Sequence, residues 1–134
     1  MNFMADAQNL RVMVVDDDEV TRDITIAILE SLGIHNCEHA ANGRIAMRLL
    51  RESEHLPELV ITDIYMPEMD GFELVSALAE GGFSGGVALC SGVSVENLSL
   101  ARDVAEGMGI RLLGVFTKPV SKDSLEEIIS RLRS

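Results

Sequence analysis

Acids, a hydroxyl and a lysine stand at the ends of apolar runs in this chain, and together they have the make-up of a phosphoryl-transfer site. Asp16-Asp17-Asp18 follow Leu10 to Val15, Asp63 follows Leu59 to Thr62, Ser91 follows Val87 to Cys90, and Lys118-Pro119 follow Leu112 to Thr117. A fifth motif, Met66-Pro67-Glu68-Met69-Asp70-Gly71, lies just behind Asp63. Clustered carboxylates repel one another unless a cation sits among them, and hard oxygen donors suit Mg²⁺ or Mn²⁺. Phosphate transfer to a carboxylate needs a nucleophile, a metal touching carboxylate and phosphoryl oxygens, and donors for the oxygens left uncovered. Asp63 is placed to be the nucleophile, Asp16, Asp17 and Asp63 to be the metal cradle, Ser91 to donate a hydroxyl and Lys118 to pair with phosphate. Only Lys118 and Lys122 are lysines, so one of them falling before a proline at a strand end argues for a role there. Asp18 and Glu19 read instead as a solvated helix start, where acids favour the dipole.

These residues meet only if the runs before them are neighbouring strands. Buried parallel strands read as nearly continuous apolar stretches, and ligands collect at their carboxyl ends. Strands are predicted at Leu10 to Val15, His35 to Ala40, Leu59 to Thr62, Gly86 to Cys90 and Leu112 to Phe116. Between them, helical spacing runs from Val20 to Leu32 (Val20, Ile24, Ala27, Ile28) and from Asn42-Gly43 to Arg51, with Ile45, Ala46, Leu49 and Leu50 inward. Further helices run from Phe72 to about Glu80, from Val95 to Met108 with Leu98, Ala101, Val104 and Ala105 in phase, and from Ser121 to Leu132, with Ser121 and Ser124 as alternative caps. This alternation predicts an α/β fold, a flavodoxin-like doubly wound parallel sheet of five βα units in strand order 2-1-3-4-5, with the site beside strands 1 and 3.

The 134 residues fit one domain, 10–134, behind an N-terminal extension, 1–9. With 47% hydrophobic residues, no apolar run of membrane-span length and no signal-peptide pattern in Met1 to Asn9, a cytoplasmic protein without membrane contact is expected. A formal charge of −11 argues against direct binding of nucleic acid or anionic lipid. Cys37 and Cys90 lack metal or redox spacing and read as ordinary buried or half-buried thiols. His35, Cys37 and His39 alternate and would share one strand face, a geometry open to a metal, although no fourth ligand accompanies them.

From Leu10 to about Arg131 the residues resemble the receiver domains of two-component response regulators. The resemblance is carried by Val14-Val15-Asp16-Asp17, Thr62-Asp63-Ile64-Tyr65-Met66-Pro67-Glu68-Met69-Asp70-Gly71, Cys90-Ser91-Gly92 and Thr117-Lys118-Pro119. It implies that Asp63 accepts phosphate from the phosphohistidine of a sensor histidine kinase or phosphotransfer protein, with no enzymatic activity beyond its own phosphorylation and dephosphorylation. Asp17, Asp63 and the Tyr65 backbone carbonyl would bind Mg²⁺ directly, and Asp16 through a water. Ser91 would be the switch hydroxyl, Lys118 the phosphate-pairing cation, and the Lys118-Pro119 bond cis. Met66-Pro67 and Gly71 shape the loop behind the nucleophile.

One position departs from that resemblance. Three residues before Lys118, where an aromatic switch is usual, stands Val115, and strand alternation should turn Phe116 the other way. Tyr65 and Val93, each two residues beyond a site residue, would crowd the path of hydrolytic water and slow the loss of phosphate. The output would be a following domain or a separate protein, with homodimerisation on phosphorylation through the helix four to helix five face. The segments Leu89 to Gly92 and Gly109 to Val120 are similar to receivers that precede cyclic-di-GMP phosphodiesterase domains.

Two other readings compete. Val12 to Val20 also matches the opening of a haloacid-dehalogenase-like phosphatase, with Asp16 as nucleophile and Asp18 as general acid, but this leaves Asp63 and its loop without a role. The third reading is a receiver-like interaction module that never takes phosphate.

Overall fold

A computed structural model describes residues 9–92 and 95–134, the side chains of 95–98 and 101 excepted. Strands β1 (Arg11–Val15), β2 (Asn36–Ala40), β3 (Leu59–Asp63), β4 (Gly86–Ser91) and β5 (Arg111–Thr117) alternate with helices α1 (Glu19–Ser31), α2 (Gly43–Glu52), α3 (Gly71–Glu80), α4 (Val95–Gly107) and α5 (Lys122–Arg133). The sheet is parallel throughout, in the expected order β2-β1-β3-β4-β5. The starts of α1, α2, α3 and α5 each match a side chain that can satisfy free N–H groups. Asp18 caps α1, Asn42 caps α2, and Asp70 and Ser121 form capping boxes with Glu73 and Ser124.

The strands alternate their side chains between two buried layers. Met13, Val15, Val60, Val87 and Leu89 pack with Ala46, Leu50, Leu74, Leu78 and Ala105 of α2, α3 and α4. Val12, Val14, Ile61, Ala88 and Cys90 face Leu29, Leu125, Ile128 and Ile129 of α1 and α5. Each fully buried Leu or Ile contributes about 1.5–3 kcal/mol, and truncating Leu74 or Ile128 to alanine should cost about 2–5 kcal/mol. Burial also pushes the Cys37 thiol up to about 11 and the Cys90 thiol up to about 12, so both stay protonated and unreactive at neutral pH.

α1 corrects one reading of the sequence. Val20 and Ile24, the start of its helical apolar spacing, face solvent, whereas Thr25 and Leu29 are buried. Apolar residues occur almost all round this helix, so their period does not choose the inner face; packing on β1 and α5 does. On α4, Ala105 is buried as its spacing predicts but Val104 is exposed, because one residue along the helix turns about 100° away from Ala105, while the side chains of Leu98 and Ala101 lie outside the described residues.

β5 contains an irregularity that the sequence pattern hides. Val87 pairs with Leu112 but Ala88 pairs with Gly114, so one extra residue of β5 is inserted against β4. The insertion reverses the face of every later side chain. Leu112 and Val115 both pack in the α2–α3–α4 layer, and Leu113 and Phe116 both pack in the α1–α5 layer.

Candidate phosphoacceptor site

Four strand ends deliver the site. Asp16 leaves β1, Asp63 ends β3, Ser91 ends β4, and Lys118 follows β5. Pairing of Asp63 with Cys90 and of Ser91 with Thr117 aligns the last three ends, and the Lys118 N–H donates to the Ser91 carbonyl at 2.9 Å. The Lys118-Pro119 peptide bond is cis.

Lys118 is the centre of the contacts. Its Nζ lies 2.9 Å from Asp16 Oδ2 and 3.0 Å from Asp63 Oδ2. Asp16, Asp63 and Ser91 are buried, and Asp17 is exposed. Among the described residues, Asp16, Asp17 and Asp63 form the one group of three potential metal-ligating side chains, with ligand atoms within 4.8 Å of one another. His35, Cys37 and His39 form no such group.

Asp16 is held at every polar atom. Its N–H donates to the Ala40 carbonyl at 3.1 Å, and its carbonyl accepts from Arg22 Nη1 at 3.0 Å. Its Oδ1 accepts the Asp18 N–H at 2.9 Å, while Oδ2 faces Lys118. Arg22 is a site-supporting residue that motif spacing did not reveal: it sits one turn into α1, and only the fold folds that turn back over the Asp16 carbonyl.

The electrostatics follow from burial and crowding. Burial raises the Asp63 carboxyl above its ordinary value, Lys118 opposes this, and the charges of Asp16 and Asp17 add to the rise. For Lys118, burial works to lower the ammonium, but Asp16 and Asp63 outweigh it and the net shift is upward. An isolated ion pair would lower its acid; here one ammonium is shared and leaves Asp63 under-compensated. Three carboxylates with one ammonium are an oxygen-only, electron-rich donor set, which fits a hard divalent cation.

The loop behind Asp63 is fixed by close backbone approach. The Gly71 N–H donates to the Ile64 carbonyl at 2.7 Å, and a Cβ on Gly71 would stand 2.4 Å from the Asp63 carbonyl oxygen and 2.8 Å from Ile64 Cα. Glu68, at φ 67°, makes the turn and accepts from Asn42 Nδ2 at 3.2 Å. Tyr65 is exposed beside the site, and Val93 lies outside the described residues.

Asp18 is committed elsewhere. Its carboxylate accepts the Thr21 hydroxyl and the Val20 and Thr21 N–H groups, and the Thr21 bonds hold it below the usual carboxylate range. A group kept ionised in this way is poorly suited to act as a general acid, which counts against the phosphatase reading. Among the described residues no helix is long and apolar enough to cross a membrane.

Comparison with known proteins matches the same elements. Residues 12–130 match the family described as response regulator receiver domain. The response regulator Rre1 of Synechocystis is 32% identical over 134 residues, covering 94% of this chain and 52% of its own length, so the chain spans about half of that relative. The chemotaxis protein CheY of Halobacterium salinarum is 32% identical over 120 residues, covering 90% of this chain and 93% of its own. A CheY-like response regulator receiver domain from Methanospirillum hungatei superposes with a TM-score of 0.76 at 29% identity, covering 92% of this chain and 94% of that one. With the family match running from β1 into α5 and the sheet order the one that the alternation of strands and helices predicted, this chain belongs to the response regulator receiver domains.

Proposed function

We propose that Asp63 accepts a phosphoryl group from a phosphohistidine of a sensor histidine kinase or phosphotransfer protein, in a Mg²⁺-dependent reaction. The observation that carries this reading is the Lys118 ammonium bridging Asp63 Oδ2 and Asp16 Oδ2, with Asp17 completing the acidic group. An Asp63 oxygen attacks phosphorus, an O–P bond forms, the N–P bond breaks, and the departing imidazole nitrogen keeps the electron pair and takes up a proton. Lys118 stands ready to pair with a phosphoryl oxygen, and Ser91 is the hydroxyl that covers another. Mg²⁺, or Mn²⁺, when bound supplies charge neutralisation between carboxylate and phosphoryl oxygens.

Asp17, Asp63 and the Tyr65 carbonyl are the proposed direct ligands. Asp16 has both carboxylate oxygens engaged, by the Asp18 N–H and by Lys118, which supports its acting through a water. The domain proper is taken as 10–134, behind a 1–9 extension. Its output is a following domain or a separate protein, with a cyclic-di-GMP phosphodiesterase as one candidate and a phosphorylation-dependent homodimer as another.

A small-molecule phosphodonor with Mg²⁺ tests the reading. The expected product is one acid-stable, base-labile phosphoryl on Asp63, absent in Asp63→Asn. Turnover of the donor that requires Asp16 would make the chain a phosphatase, and no modification under any donor would make it an interaction module.

A further inference from the structure

The turn from β2 into α2, residues 40–43, supplies no group to the phosphoacceptor site, yet it is bonded to two loops that do. On one side the Asp16 N–H donates to the Ala40 carbonyl at 3.1 Å. On the other the Gly43 N–H donates to the Met69 carbonyl at 3.1 Å, and Asn42 Nδ2 donates to Glu68 Oε2 at 3.2 Å. This short turn therefore bridges the acidic loop after β1 and the loop after β3 that carries the Tyr65 carbonyl.

Its contact with the second loop is close and conformationally costly. A Cβ on Gly43 would stand 2.8 Å from the Met69 carbonyl oxygen and 2.9 Å from Met69 Cγ, so glycine lets the turn lie against the loop. Glu68, at φ 67°, is the one non-glycine residue with positive φ among the described residues. Such a backbone persists where its surroundings over-determine it, and Asn42 and Gly43 are those surroundings. Asn42 reaches Glu68 with a fixed amide. Its Oδ1 accepts the Ile45 N–H at 2.9 Å as the cap of α2, which leaves Nδ2 as the donor and sets the plane from which it donates. A side chain already immobilised by the cap loses little further entropy in holding Glu68, so this solvent-facing bond competes with water.

The loop after β3 is thus pinned twice. The Ile64 N–H donates to the Cys90 carbonyl at 3.0 Å and its carbonyl accepts the Gly71 N–H at 2.7 Å, while Glu68 and Met69 are tied to the turn. Tyr65 lies between the pins. We infer that the β2–α2 turn braces the metal cradle, setting the separation between the Asp16-Asp17 loop and the Tyr65 carbonyl, with Asn42 as a positioning residue. The inference rests on the proposed Mg²⁺-dependent site and adds to it a residue that is neither a proposed metal ligand nor a phosphate contact.

The test is a Mg²⁺ titration of the intact chain at neutral pH, followed by the fluorescence of its single tyrosine, with amide hydrogen exchange of the metal-free protein as a second readout. Asn42→Asp keeps the cap acceptor of α2 but puts a second carboxylate where the donor to Glu68 was. The added negative charge by itself would tighten Mg²⁺ binding. Loss of the brace should do the reverse: about fivefold weaker binding, the effect of one net hydrogen bond, with an unchanged metal-free Tm and faster exchange at the Gly43 and Met69 amides. Adding Glu68→Gln to Asn42→Asp restores the wild-type charge and re-forms the bond with donor and acceptor exchanged, so affinity and exchange should return to within about twofold of wild type. Mg²⁺ binding by Asn42→Asp as tight as wild type or tighter would overturn the proposal, and so would a double variant no better than the single one. Asp63→Asn separates the two failures. A titration equal to wild type in Asp63→Asn would overturn the proposed site and the brace with it; one weakened in Asp63→Asn but intact in Asn42→Asp would overturn the brace alone.

Discussion

The guanidinium carbon of Arg131 lies 5.7 Å from the centroid of the Phe116 ring, on the face of β5 opposite Val115. Arg131 Nη1 also donates to the Leu113 carbonyl at 2.6 Å, and its other nitrogen pairs with Glu127. Gly114 makes this possible: at φ 154°, a Cβ there would stand 2.6 Å from Arg131 Nη1 and 2.7 Å from the Phe116 ring. At the far end of β5, Arg111 Nη2 donates to the Leu132 carbonyl at 2.9 Å. The aromatic contact of β5 is therefore made with α5, and the side facing α2, α3 and α4 carries Leu112 and the small Val115. Phe116 pairs in register with Cys90, and the next pair is Ser91 with Thr117.

Phe116 and Arg131 should be energetically coupled. A cycle of Phe116→Leu, Arg131→Met and the double variant, measured by urea unfolding, should give an interaction of about 0.5–1 kcal/mol. Strict additivity would mean that the ring and the guanidinium merely lie near each other.

Gly71→Ala should destabilise the fold by about 1–3 kcal/mol, because the new methyl meets backbone atoms of Asp63 and Ile64 rather than a movable side chain. Since the displaced atoms carry the nucleophile, Mg²⁺ affinity should fall with stability. Tyr65 is the single tyrosine and there is no tryptophan, so its fluorescence reads the metal titration directly. A variant with unchanged unfolding midpoint and unchanged titration would refute the close-approach argument.

Without Mg²⁺, Asp63→Asn should raise the Tm at neutral pH. Burial raises the Asp63 carboxyl in the folded state, so the native protein binds that proton more tightly than the unfolded chain. Stability attributable to this group is then present at pH below its unfolded value and falls as pH rises through its folded value. The variant's advantage should disappear on acidification and shrink when Mg²⁺ is added to the wild type. A lower Tm for Asp63→Asn at neutral pH would contradict the sign.

Tyr65 should prolong the phosphorylated state. If the exposed ring, two residues beyond Asp63, crowds the approach of water, Tyr65→Asn combined with Val93→Glu should speed loss of phosphate by about tenfold, read as decay of the phosphorylated species after donor removal. A wild-type half-life of seconds, or equal decay of the two proteins, would dismiss this role.

By itself the sequence determined the order of strands and helices and which residue types stand at the strand ends. Near-continuous runs such as Leu59 to Thr62 can be buried on both faces only in a parallel sheet, and such a sheet must gather Asp16, Asp63, Ser91 and Lys118 at one edge. The Ser121 cap was legible because it acts over three residues. Tertiary structure decided what depends on partners distant in sequence. The inner face of α1 was chosen by β1 and α5, against the spacing of Val20 and Ile24. Phe116 faces α5 because an extra residue near Gly114 shifts the ladder with β4; counting alternation from Leu112 without that insertion would put it on the other side. Local periodicity records the demands of a single element, whereas register and docking are set by pairings between elements, which no stretch of one element encodes.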